Sequence, residues 1–201
     1  TPLIRRHALT TLALASWALH GVATPAMAQS AFPNKPVTLV VTYPPGGGAD
    51  AMARLIAPKM GEALGQPVII ENKPGASGQI GASAVAKAAP DGYTLMLDAS
   101  SFSANPALYP KLPYDSLKAF KPIGVVALFP NVVLVNANFP AKNISELTAA
   151  ARKSKDAVSY ASSGNGSAQH LAGALFESAA KVDMVHVPYK GGGPALNDVI
   201  G

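Results

Sequence analysis

The sequence predicts an α/β fold in which parallel strands are covered by helices, laid out as two domains joined by a crossing segment. Three observations carry this. Short β-branched runs alternate with alanine-rich stretches of helical period from residue 37 to residue 200. Glycine-rich strings stand where a strand run hands over to a helical one. A proline-bearing stretch with no clean period, residues 101–122, divides the alternation into two sets.

In chain order, Ile4-Arg5-Arg6-His7 precedes an apolar run over 8–19, and Ala26-Met27-Ala28 has the small-x-small form of a signal-peptidase site. Residues 1–28 are therefore expected to be an export signal, too short in its apolar part for a membrane span of about 20 residues. The first α/β domain occupies 29–100. Its strands are expected at 37–42, 68–71 and 94–97, and its helices at 51–64, where Met52, Leu55, Ile56, Met60 and Leu64 share a face, and at 79–88. Pro90-Asp91-Gly92 is the turn before the third strand. Pro106, Pro110 and Pro113 mark the crossing segment 101–122. The second domain, 123–201, is expected to hold strands at 123–128, 132–135, 157–161 and 184–187. Its helices should begin near Asn143, run over 168–180 and close the chain at 194–200. A domain stopping on a helix lacks strands that would finish its sheet, so the chain reads as truncated at its C-terminal side.

Composition narrows the function. Sixteen basic against eleven acidic residues give +5, and setting aside Arg5 and Arg6 of the export signal leaves 5 − 2 = +3. Without a Lys/Arg cluster, and with six Phe and six Tyr, nucleic-acid binding is not indicated. The absence of cysteine excludes disulfides and thiolate metal sites. No string calls for a cofactor or a metal.

Four glycine-rich junctions stand out: residues 43–48 (YPPGGG), 72–78 (NKPGASG), 162–167 (SSGNGS) and 188–193 (PYKGGG). In open parallel sheets ligands bind beyond the carboxyl ends of the strands, where these junctions lie. Glycine lets backbone approach a ligand, and the amides opening the next helix attract an anion. The first and last strings echo one another, one in each domain, as two jaws on a common cleft would. Asp50 follows the first triple glycine; it is expected to turn into the helix start as a cap, or to contact the ligand if that ligand carries an ammonium group.

Enzyme motifs are weaker. Gly75, Gly78 and Gly81 do not make a dinucleotide fingerprint, no Gly-Lys-Ser/Thr forms a phosphate loop, and no G-x-S-x-G elbow is present. The enzymatic alternative is a secreted serine hydrolase or transferase using Ser167 or Ser77 with His170 or His186.

Four separated strings, from Phe32, Glu71, Tyr160 and His186, together resemble the Bug family, the extracytoplasmic solute receptors of tripartite tricarboxylate transporters. The resemblance runs in order over the whole chain after the export signal. It implies a two-domain, periplasmic-binding-protein-like (Venus flytrap) fold and a receptor, not an enzyme. Such a receptor closes in the periplasm on a small carboxylate or related solute, with bridging waters, and hands it to membrane transporter subunits. A full-length member is implied to be monomeric and to need no cofactor. Carried over by residue, the ligand site comprises Tyr43, Gly46, Gly47, Gly48 and Asp50; then Ala76, Ser77, Gly78 and Ser100. From the second domain come Ser163, Asn165, Gly166, Ser167 and His170, with Tyr189, Lys190 and Gly191. Two departures are visible. Family members continue beyond the counterpart of Gly201, and where they carry an acidic residue before the Phe of the crossing segment this chain has Lys118-Ala119-Phe120.

Overall fold

The first sheet is built around its first strand. β1 (Val37–Val41) reads Val-Thr-Leu-Val-Val, almost continuously apolar, as a strand covered on both faces must be. In the computed structural model, which describes residues 32–154 and 157–201, it is the central strand of the order β2-β1-β3. β2 (Val68–Asn72) and β3 (Thr94–Leu97) pair with it in parallel, Leu39 standing opposite Ile70 on one side and Leu95 on the other. The expected export signal, residues 1–28, lies outside the described residues.

Helix α1 (Gly48–Leu64) and helix α2 (Gln79–Ala86) make the two crossovers. The face of α1 bearing Ala53 and Ile56 packs on Leu39 and Val41, with Ile70, Leu95 and Leu97 around them. Each buried aliphatic side chain of this kind contributes about 1.5–3 kcal/mol. Pro58 sits inside α1 and removes the bond its amide would make to the Arg54 carbonyl, a cost of about 3 kcal/mol in a helix interior. The helix nonetheless continues to Gly65, whose left-handed conformation (φ 67°) ends it. On the opposite face α2 comes close to β1 through Gly81. A Cβ there would stand 2.8 Å from the Lys73 carbonyl oxygen and 2.9 Å from Thr42 Cγ2.

The crossing segment differs from its expected irregularity at its start, where Ser101–Leu108 forms helix α3 with Pro106 inside it. Its small polar residues give no apolar period because they are held by tertiary contacts instead. Ser101 and Asn105 are fully buried. Beyond it, Phe102, Tyr114 and Phe120 form an aromatic cluster with ring centroids 5.2–6.2 Å apart.

The strands expected at 123–128 and 132–135 are not formed. Residues 121–136 carry no regular structure and leave Ile123, Leu128 and Val132 largely exposed. Their β-branched runs read as strands, but a strand also needs a neighbour for its amides and carbonyls. Neither run has one among the described residues.

The second sheet pairs β4 (Ser159–Ser162) with β5 (Val185–Pro188) in parallel. Helices α4 (Ile144–Ala151), α5 (Ala168–Ala180) and α6 (Gly192–Ile200) accompany it, α6 beginning two residues before its expected start. Leu147, Ala151, Val158 and Val182 form a separate core with Phe176 and Met184 against it. The start of α4 is a capping box. Asn143 Oδ1 accepts from the Glu146 amide at 2.9 Å, and Glu146 Oε2 accepts from the Lys142 amide at 2.7 Å. Asn143→Ala is expected to cost about 1 kcal/mol of stability in urea unfolding.

Candidate functional site

All four glycine junctions meet at the carboxyl ends of the two sheets. A Cβ at Gly191 would stand 2.6 Å from Pro44 Cγ, and one at Gly193 3.9 Å from the Gly46 carbonyl oxygen, so the two triple-glycine strings face each other. At Gly164 a Cβ would lie 3.3 Å from the Tyr189 carbonyl oxygen and 3.5 Å from Ser77 Oγ; at Gly166, 2.6 Å from Leu108 Cδ1. The second and third junctions and α3 thus border the same place.

In the first junction Gly46 adopts φ 81°, and its amide donates to Asp50 Oδ2 at 2.9 Å. Arg54 Nε donates to the same oxygen at 2.8 Å and Asn72 Nδ2 to Oδ1 at 3.0 Å. The bond from Arg54 is the main reason the Asp50 carboxyl is held at about 2. Asp50 is buried and sits at the third position of α1, not at its cap, which is Gly47. It pins the loop ahead of the helix and has its charge met there, so an anion beside it is not repelled by a bare carboxylate. Asp50→Ala would strand the Asn72 and Gly46 donors and the Arg54 guanidinium. A loss of about 1–3 kcal/mol is expected at neutral pH. Because the folded carboxyl titrates below its unfolded value, this difference should be full above about pH 4 and vanish as pH falls through about 2, read by urea unfolding at several pH values. Tyr43, just ahead of the loop, is buried; its hydroxyl bonds Ser101 Oγ, and burial pushes it up to about 12.

The second junction holds backbone strain. Ala76 (φ 48°), Ser77 (φ 54°) and Gly78 (φ 86°) are successive left-handed residues. For the two non-glycines this costs of order 1–3 kcal/mol each, and such conformations gather at functional sites. Asn105 Nδ2 holds the strained turn by donating to the Ser77 carbonyl at 3.1 Å. Ser100 is exposed at the start of α3, where its side chain makes no capping bond.

The third junction is tied to a stack of rings. The Gly164 amide donates to Ser162 Oγ (3.2 Å), which bonds His186 Nε2 (2.6 Å). The Gly166 amide donates to His170 Nδ1 (3.0 Å). The imidazoles stack at 4.1 Å, and Tyr160 covers His186 at 4.9 Å. Burial, and then the neighbouring His170, lowers the His186 pKa. Ser167 Oγ caps α5 through the His170 amide, Ser163 Oγ donates to Gln169 Oε1, and Asn165 is exposed at the tip. In the fourth junction the Tyr189 hydroxyl donates to Asp198, Lys190 is exposed without an ion pair among the described residues, and Gly191 (φ 143°) opens α6.

The loops are therefore less bare than their glycines suggest. The amides of Gly46, Gly78, Gly164 and Gly166 are all taken within the chain. The starts of α1, α2, α3 and α6 carry no side-chain cap. An uncapped helix start presents unpaired amides and a partial positive charge along its axis. Two of them meet here.

Sequence reasoning missed a buried polar set behind the second junction, made of Thr42, Asp98, Ser101 and Asn105. Asp98 Oδ1 accepts from the Ala99 amide (2.6 Å) and from Ser101 Oγ (3.4 Å), while Oδ2 is buried on the side of Thr42 Oγ1. Burial pushes its pKa up to about 6. The available signal was its place, the first residue after β3. For the hydrolase alternative, neither Ser77 nor Ser167 bonds a histidine ring. The serine that does, Ser162, is 1% exposed and beyond a substrate's reach. Among the described residues no cluster could hold a metal and no helix is long and apolar enough to cross a membrane.

A family model described as tripartite tricarboxylate transporter family receptor matches residues 52–201. The UPF0065 protein in the tcbD-tcbE intergenic region of Pseudomonas sp. (strain P51) is 40% identical over 196 residues, 98% of this chain and 57% of that protein. Among solved structures, the periplasmic binding protein BugD is 39% identical with a TM-score of 0.73, over 84% of this chain and 56% of its own. MatC from Rhodopseudomonas palustris with bound malate is 39% identical with a TM-score of 0.77, over 84% and 57%. The chain thus spans a little over half the length of the proteins it matches.

Proposed function

We propose, because this chain belongs to the tripartite tricarboxylate transporter receptor family, that it captures a small carboxylate between its glycine junctions and delivers it to membrane transporter subunits. The observation that carries this is the meeting of two uncapped helix starts, α1 behind Gly47 and α6 behind Gly191, where Gly191 approaches Pro44 and Gly193 approaches the Gly46 carbonyl. Main-chain amides at a helix start favour an anion without a fixed counter-charge. A ligand with a carboxylate at each end would meet one start with each, and bridging waters would fill the remaining distance.

Tyr43, Gly46, Gly47, Gly48 and Asp50 form and brace one jaw in this reading, with Asp50 as a brace. Tyr189, Lys190 and Gly191 form the other, and Lys190 is the ammonium free to reach an anion. Ala76, Ser77, Gly78 and Ser100 make one wall; Ser163, Asn165, Gly166, Ser167 and His170 make the wall opposite. The separate cores and sheets support a first domain over 29–100, a crossing segment over 101–122 and a second domain over 123–201. The apolar run over 8–19, followed by Ala26-Met27-Ala28, supports export to the periplasm, and the full-length receptor acts as a monomer. Calorimetric titration of the chain with malate tests the assignment. Binding lost in Gly47→Val with the fold intact is the expected result; binding untouched by that change would remove the helix starts from the site.

A further inference from the structure

Asp98 lies directly beyond β3, beneath Gly78. A Cβ on Gly78 would stand 2.9 Å from its Oδ2 and 3.2 Å from its Oδ1, so that glycine separates the carboxyl from the junction above. Every element packed around it offers neutral groups. From the end of β1 come Thr42 Oγ1, buried and the hydroxyl that stabilises the charged form of Asp98, and the Tyr43 hydroxyl bonded to Ser101. From α3 come Ser101 Oγ and Asn105, and from the segment after it the Tyr114 hydroxyl, which faces both Asn105 and Asp98. No Lys, Arg or His among the described residues pairs with Asp98. The other acids at this end of the sheet have their charges met, Asp50 by Arg54 and Glu71 by Lys73.

A carboxylate with no cation beside it, its Oδ2 buried beneath one wall of the anion site, opposes the anion, since both charges share a poorly screened region. Removing the charge by protonation removes the opposition. We propose that Asp98 couples carboxylate capture to the uptake of one proton, its carboxyl being neutral whenever an anion occupies the space between the glycine junctions. The inference rests on the receptor reading given above and adds to it a determinant of ligand charge. With the free carboxyl titrating at about 6, the coupling acts at and above neutral pH, where the free chain holds Asp98 ionised and must acquire the proton as ligand binds. A ligand bringing an ammonium group to this spot would select the ionised form and reverse the dependence.

Malate is the probe, because both its carboxyls are ionised above pH ~6 and its own titration then adds nothing. Calorimetry in buffers of different ionisation enthalpy should show proton uptake and an affinity about fiftyfold weaker at pH ~8 than at pH ~6. Asp98→Asn should bind at both pH values with one affinity, near that of the unaltered chain at pH ~6, and take up no proton. It should also resist heat better than the unaltered chain at pH ~8 but not at pH ~4, because a raised carboxyl pKa disfavours the folded state increasingly as pH climbs from the unfolded value near 4 to about 6, and fully above that. Flat affinity without proton uptake in the unaltered chain overturns the proposal and leaves the receptor reading standing, as does affinity that grows with pH. An ordinary carboxyl titration of Asp98 in carbon NMR overturns it without any ligand. Failure to bind malate or other small carboxylates at any pH defeats both.

Discussion

Gly191→Val is expected to weaken malate binding by a hundredfold or more while leaving most of the fold in place. Gly191 sits at φ 143°, a conformation that side-chain-bearing residues rarely adopt, and the cost is greatest for a β-branched one. Its Cβ would lie 2.6 Å from Pro44 Cγ and 2.9 Å from Cδ. A proline ring cannot rotate away, so one junction must move off the other. The helix starts of α1 and α6 would then separate, and an anion could reach only one of them. A hundredfold loss is about 2.7 kcal/mol, no more than the removal of a few charge-assisted bonds. Calorimetry gives the affinity and circular dichroism checks the fold. A variant that folds and binds as the unaltered chain does would show that the junctions need not touch for capture.

The largest loss of stability is expected at Gly81. A valine there places its Cβ 2.8 Å from the Lys73 carbonyl oxygen and 3.2 Å from Thr42 Cα, both main-chain atoms, as well as 2.9 Å from Thr42 Cγ2. Overpacking against movable side chains costs about 1–3 kcal/mol. Here the obstacle is the central strand and the chain leaving β2, so α2 itself has to lift. About 3 kcal/mol or more is expected, or a melting temperature lower by roughly 6–12 °C in a chain of this size. Gly173→Val is a useful comparison, because a Cβ there meets the Tyr160 ring at 2.3 Å, a side chain able to swing aside at the expense of its stack. If Gly81→Val melted like the unaltered chain, the close approach of α2 to β1 would be wrong.

Some of this was legible in the sequence and some could not be. β3 and α5 fall where their runs predicted, because a four-residue apolar strand between turns and an alanine-rich helix behind Ser167 carry their own signals. α3 was hidden, since Ser101 and Asn105 are placed by Tyr43 and the Ser77 carbonyl, both distant in sequence. The runs at 123–128 and 132–135 misled in the opposite direction, apolar content standing in for a pairing partner that the described residues do not supply. At the site, glycine marked all four junctions correctly as backbone that must turn or be approached. Which amides remain open was not readable. Asp50 takes the Gly46 amide and His170 takes that of Gly166, and nothing in a glycine string announces its acceptor. Asp98 was missed for the same reason, a single acid after a strand gaining meaning only from what surrounds it.

The bond from the Gly166 amide to His170 Nδ1 also fixes a tautomer. An amide can only donate, so Nδ1 must carry a lone pair, and in the neutral ring the hydrogen is confined to Nε2. Imidazole nitrogen shifts would report this directly, with Nδ1 resonating as a pyridine-type atom and Nε2 as a pyrrole-type one. A second proton on the ring would set two hydrogens face to face at the hinge of the third junction. The order of that loop is thereby readable as a nitrogen spectrum of one side chain, with no ligand required.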